Sequence, residues 1–268
     1  MHVENSLRGA YLTLKEKPTL ILLFTAYAII NFLIAALIEI LYSTFSTSSN
    51  ISIFLISLIA FVIAIVTEFV FYFILASMSV MIAKQKFSGE KILLKKAFND
   101  AKPFFIRTVG LSIVIFLIFG ISAIPLVFSI LIESSFIAIS IVLFIIGIII
   151  FVLFAVGLSQ SLTISMIENL GIIASIKKSY NKSLQYFWSI FEIELTIFVF
   201  SFAIGLVGLL LSFLYPLLYL LINIISASIF YPILIIAIPL FYFYSNQNPD
   251  SNKPKIGTGP ASPKISQG

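Results

Sequence analysis

Apolar residues run through this chain in long unbroken stretches separated by short polar intervals. Six such stretches occupy residues 18–43, 52–83, 104–131, 136–166, 187–213 and 217–245. About 20 residues of helix cross a hydrocarbon layer of ~30 Å, so each stretch is long enough to cross once. Barrel strands are ~10 residues long and alternate in polarity. These runs are continuous and therefore predict helices. The first run is much longer than the apolar core of a leader, and no small-residue cleavage site interrupts it, which speaks against a cleaved signal peptide. The fold class expected is all-α: a polytopic integral membrane protein with six transmembrane helices arranged as three helical hairpins.

A second, shorter pattern occupies the intervals "SLRGAYLTLKEKP" (6–18), "ILLKKAFNDAKP" (92–103) and "ASIKKSYNKSLQYF" (174–187). Each carries a basic, then small, then aromatic core: Gly9-Ala10-Tyr11 after Arg8, Lys96-Ala97-Phe98 after Lys95, and Lys178-Ser179-Tyr180 after Lys177. Each reads as an amphipathic elbow helix followed by one span out and one span back, an internal repeat with units of about 6–84, 88–167 and 169–245. In 88–102, Leu93, Leu94, Ala97, Phe98 and Ala101 share one face while Lys91, Lys95, Asn99 and Lys102 share another. Ser88 is the expected N-cap, and Pro103 marks the boundary with the next span. In the third elbow Ile173, Ile176, Tyr180 and Leu184 form the expected apolar stripe, with Asn169 as cap and Lys178 and Lys182 on the wet face. Residues 1–245 thus form one membrane domain. The tail 246–268, rich in Pro, Gly, Ser and Asn without apolar period, reads as a disordered cytoplasmic extension.

Composition sharpens this picture. Sixty per cent of the residues are hydrophobic and only 10% are charged, against about a quarter charged in soluble domains, so lipid must solvate much of the surface. All sixteen Lys and Arg residues fall at the N-terminus, in 84–107, in 177–182 or in the tail. With six spans these groups share one side, which the positive-inside rule makes cytoplasmic, in a plasma membrane with both termini inside. Tyr42, Tyr215 and Tyr219 fall at the expected outer boundary and Tyr186, Trp188, Tyr242 and Tyr244 at the inner one. There is no cysteine, and the one histidine is His2. Thiolate, Ser-His-Asp and His-rich zinc chemistry are therefore absent from the expectation: no catalytic residue, no metal site, no cofactor, and no enzyme. The expected partners are the bilayer and anionic headgroups, met by Lys95, Lys96, Lys177, Lys178 and Lys182 at ~1 kcal/mol each. Protein partners or a second copy of the chain are further candidates.

The segment "MIENLGIIASIKKSYNKSLQYFWSI" resembles the signature of a broad family of six-span membrane domains. That family includes the bacterial inner-membrane YciC-type proteins and the membrane domains attached to some glycerophosphodiester phosphodiesterases. The resemblance rests on Glu168, Gly171, the core of Ala174, Lys177 or Lys178, Ser179 and Tyr180, and the later Phe187-Trp188. It covers most of 1–245 and implies the six-span fold. The phosphodiesterase catalytic domain has no counterpart here, so no hydrolase activity is implied. Length, span number and composition also resemble the polytopic membrane subunit of the archaeal DNA-import (Ced) system, without a shared motif. Nucleic acid becomes a partner only within such a machine.

Polar residues inside the spans are the remaining candidates. An ionised side chain deep in the bilayer costs roughly 3 kcal/mol or more. Glu68 and Asn31 fall at similar depth on neighbouring spans, and a Glu68–Asn31 hydrogen bond is the expected intramembrane polar site, serving as packing glue or as a proton- or cation-coupled site. Glu39 and Glu133 are expected at outer, solvated positions. Glu192 and Glu194 are expected to be shallow and on different faces of the fifth span. Ala155/Ser159 and Ser201/Gly205 predict close helix approaches. Pro125, Pro216, Pro232 and Pro239 predict kinks or ends. Asn50-Ile51-Ser52 is a glycosylation sequon in the expected outer loop. Two functional classes follow: a translocation component such as a transporter, channel or subunit of an uptake or secretion machine, and a membrane-organising scaffold that holds anionic lipid through its elbows.

Overall fold

Backbone N–H and C=O groups that enter lipid must find partners within their own segment, and this chain meets that demand with helices. The computed structural model describes residues 2–47, 51–131, 136–212 and 216–247. Asn50, Glu133, Tyr215 and the tail from 248 onward lie outside the described residues, as do the side chains of Tyr42 and Tyr219. No strand occurs among the described residues, and six helices are long and apolar enough to cross a membrane. The chain is a multi-pass all-α membrane protein.

The first hairpin consists of α1 (His2–Glu16), α2 (Thr19–Thr47) and α3 (Ile51–Phe87). In the second, α4 (Leu94–Ala101) runs through a short 3-10 turn into α5 (Phe105–Ser122) and α6 (Ile124–Leu131), and returns by α7 (Ile137–Leu158) and α8 (Ser161–Ile167). The third comprises α9 (Ile172–Gln185), α10 (Phe187–Ser212) and α11 (Pro216–Gln247). Two spans expected to be continuous are each interrupted. Pro125, the second residue of α6, has no N–H to close a helical bond to the Ile121 carbonyl, and the chain turns at Ala123 between α5 and α6. The return span breaks at Ser159-Gln160 with no proline to announce it. By contrast, α11 runs through Pro232 and Pro239 as one helix.

Each elbow packs on the returning span of the hairpin before it. Helix α4 lies on α3, α9 on α7 and α8, and α1 closes on α11. The contact faces are the small ones. Gly9, Ala10 and Thr13, then Ala97 and Ala101, then Ser175, Ser179 and Ser183 are all buried. The aromatic partner of each small residue, Tyr11, Phe98 and Tyr180, remains exposed. Of the apolar stripe of the third elbow, Ile173 is 71% exposed and Leu184 also faces outward. The physical reason is the solvent. Lipid tails are as apolar as leucine, so apolar faces gain little by turning inward, and close packing of small residues with hydrogen bonding decides instead. The Ser179 hydroxyl donates to the Gly157 carbonyl at 2.8 Å. A Cβ on Gly157 would lie 2.7 Å from the Tyr180 ring.

The caps also differ from expectation. Helix α4 starts at Leu94 behind Leu93, whose N–H donates to the Gln85 side chain at 2.9 Å. Ser88 precedes Gly89, which turns the chain at a φ of 69°. Gly205 meets open space, so Ser201/Gly205 makes no close approach. Close approaches occur instead at Gly147 against Leu126 and Gly110 against Ile172.

Candidate functional site: a polar node and an intramembrane cavity

The loop from α8 to α9 is built by polar residues. Asn169 adopts a left-handed φ of 53°, a conformation Asn tolerates better than most residues. Gly171, not Asn169, is the N-cap of α9. The side chain of Asn169 is freed to accept a hydrogen bond from Arg107 Nη1 of α5 at 2.8 Å, and the same nitrogen donates to the carbonyls of Ser165 and Leu170. Arg107 therefore satisfies carbonyls that the end of α8 leaves open.

Glu168, at the end of α8, accepts hydrogen bonds from Lys178 of α9 and from the Tyr242 hydroxyl of α11. Its partial burial disfavours the charge, but the bonds from Lys178 and Tyr242 and the fields of Lys178 and Lys182 outweigh that and hold its carboxyl below the usual range. The Lys182 ammonium lies 3.8 Å over the Tyr242 ring and donates to Asn246. Burial pulls Lys182 down to about 8; Glu168 opposes the shift and Lys178 adds to it. Four helices are clamped at one point. Two expectations are corrected here. Lys182 is partly buried rather than on the wet face, and Tyr242 is a buried hydrogen-bond donor rather than an interfacial anchor. Lys178 stays half-exposed but is paired. Of the residues on which the expected resemblance rests, Glu168 and Lys178 take part in this node.

Of the other headgroup candidates, Lys95 and Lys177 are exposed, and Lys96 is exposed but paired to Glu90 at 2.7 Å. Together with Lys17 and Asn99, Lys95 and Lys96 line a cleft of about 660 Å³ between α4 and the start of α2, with Asp100 at its edge. Trp188 is 77% exposed.

Deeper in the bundle, a cavity of about 560 Å³ lies between α3, α5, α7, α8, α10 and α11. All three hairpins contribute to its wall. Most of the lining is apolar and aromatic, with Ser112, Ser159, Thr163, Tyr72, Tyr231 and Glu194 as polar members. Ser159 and Thr163 flank the break between α7 and α8. Glu194 lies seven residues into α10, ~10 Å along the helix at 1.5 Å per residue. It has no hydrogen-bond or ion-pair partner among the described residues. Glu192 is exposed on another face, as expected from their spacing. Tyr231 also borders a second cavity of about 320 Å³ between α2 and α11, lined in part by Tyr27, Asn31 and Asn223. Its ring stacks on Tyr27 at 5.7 Å and lies 6.3 Å from Tyr72.

The expected Glu68–Asn31 bond is not formed. Asn31 interacts with Tyr27, one turn earlier on the same helix, and its side-chain oxygen is buried without a hydrogen-bond partner. Glu68 acts on Tyr27 electrostatically. Glu39 is exposed. Glu194 was legible in principle, since it shares a face with Ile190 and Ile197, both buried. Hydropathy alone could not say that this face borders a cavity. No protein-family model, curated protein or solved structure matches the chain.

Proposed function

We propose that this chain is a non-enzymatic translocation component of the plasma membrane, with both termini in the cytoplasm. It acts as a transporter or channel, or as the membrane subunit of a larger uptake or secretion machine. The observation that carries this reading is the cavity bordered by all three hairpins, with an unpaired carboxylate in its wall. Intramembrane ionisable residues are expensive, and they face bundle interiors where they mark substrate or ion paths. Ser159, in the turn that joins α7 to α8, lies in the same wall and supports this reading.

The test uses the absence of native cysteine. Single cysteines at Ser112, Ser159 and Thr163 are exposed to a membrane-impermeant thiol reagent in sealed vesicles of known orientation, with Asn99→Cys as the surface control. Labelling of the cavity positions from an aqueous side is expected. If all three stay unlabelled from both sides while the control reacts, there is no path and the reading falls.

A second reading, a scaffold that gathers anionic lipid, is favoured by one observation. The exposed aromatics Tyr11, Phe98 and Tyr180 lie beside exposed lysines on the outer faces of the elbows. Native lipid retained without any protein partner on purification supports it, whereas a stable ATPase or pore-forming partner supports translocation.

A further inference from the structure

We propose that the 560 Å³ cavity is a binding site for hydrophobic organic cations, an ammonium or phosphonium centre carried on an apolar body, with Glu194 as the counter-charge. This names the substrate class of the path proposed above and rests on that reading for transport, though not for binding.

The argument starts from charge. Glu194 faces the cavity from α10, and no lysine or arginine stands among the cavity's described lining residues. The side chain has no internal partner. A partly buried carboxylate without a partner is costly, and none of the described basic residues lines the cavity to relieve it. A cation entering the cavity supplies the missing charge. The rest of the wall describes the rest of the ligand. Phe69, Tyr72, Phe73, Phe116, Phe119 and Tyr231 present aromatic surface, and Phe69 meets Phe116 edge-to-face at 6.3 Å. Aromatic faces attract cations through the ring quadrupole and suit an apolar body equally well. A metal ion or small hydrated cation fits poorly, because one carboxylate among aromatic rings offers too few oxygen ligands. The volume lies within the ~300–1,000 Å³ typical of sites for drug-sized molecules. Lipid acyl chains are the competing occupant; they would fill the apolar part and leave the carboxylate unanswered.

The experiment measures equilibrium binding of tetraphenylphosphonium to the full purified chain in nanodiscs, with tetraphenylborate as the anion of matching shape. We expect the cation to bind and the borate not to. Glu194→Gln should weaken cation binding at least tenfold, ~1.4 kcal/mol or more. Glu194→Asp should retain most of the affinity, which separates lost charge from misfolding. Phe116→Ala should weaken binding several-fold, while Glu192→Gln and Glu68→Gln should stay within about twofold of the parent. Equal binding of borate and phosphonium, or unchanged affinity in Glu194→Gln, overturns the proposal in favour of an apolar or lipid-filled cavity. The two readings fail separately. Charge-dependent binding with a cavity closed to thiol reagents leaves the site and removes translocation. An accessible cavity that ignores the cation leaves the path and removes this substrate class.

Discussion

Replacing Glu168 by Gln tests whether the node at the end of α8 holds the bundle together. The carboxylate accepts from Tyr242, which is buried, and from Lys178, whose side chain is 50% exposed. A hydrogen bond to a charged group contributes about 1.5–3 kcal/mol, and a neutral one about half that. Gln keeps an acceptor for Tyr242 and loses the charge assistance, ~1 kcal/mol. An exposed ion pair adds only about 0.2–1 kcal/mol. Glu168→Gln should therefore cost about 1–2 kcal/mol. Glu168→Ala should cost more, because it strands the Tyr242 hydroxyl in a buried position at about 1–3 kcal/mol. The assay is reversible unfolding in mixed micelles, with Tyr242→Phe added to complete a double-mutant cycle. The pH dependence gives an independent check. Glu168 titrates below the usual carboxylate range in the folded chain. Its stabilisation is therefore full above the ordinary value of ~4.3 and is lost as pH falls toward the lowered folded value. Glu168→Gln should flatten that acid limb. Stability within ~0.5 kcal/mol of the parent for both Glu168 variants, or a parent that gains stability on acidification through this window, refutes the reasoning.

Three further outcomes are expected. Lys182 titrates near 8 when folded, so the unfolded chain binds more protons between about 8 and the ordinary lysine value of ~10.4. Stability should then rise with pH across that window, and Lys182→Met should abolish the rise in the same unfolding assay. Gly147→Val would place a Cβ 2.6 Å from Leu126 Cγ and 3.0 Å from the Leu126 backbone nitrogen. Overpacking there should cost about 1–3 kcal/mol, whereas Gly205→Val, which meets open space, should leave the melting temperature unchanged. Lys95→Gln and Lys177→Gln should each reduce co-purified anionic lipid about fivefold, following ~1 kcal/mol per lysine. Lys96→Gln should reduce it less, because Glu90 already pairs that ammonium; equal losses at all three positions would contradict this, as quantified by mass spectrometry.

What could be read from the residue order depends on how local the physics is. Hydropathy over 20 residues needs no knowledge of neighbours, so six spans, three hairpins and the intervening elbows were readable in advance. Pro125 and Pro216 act through their own rings and lie at helix beginnings as their chemistry requires. Facing was a different matter. Apolar stripes turn inward where water is outside; in the third elbow Ser175, Ser179 and Ser183 are buried while Ile173 and Leu184 face out.

Pairing was less legible still. Glu68 and Asn31 were matched by depth along two helices, but depth leaves rotation open, and Asn31 interacts with Tyr27 of its own helix instead. Lys182 looked solvated by helical spacing until Tyr242, sixty residues away, came to lie beneath it. Glu194 looked shallow because distance from the helix end measures depth and not what stands opposite. The residue order by itself determined a helical membrane protein with its basic residues kept to the margins of the apolar runs, because backbone hydrogen bonding and the cost of charge in lipid act on each segment alone. Only the tertiary arrangement decided which carboxylate is clamped and which stands free in a cavity, since that depends on helix rotation and contact between segments far apart in the chain.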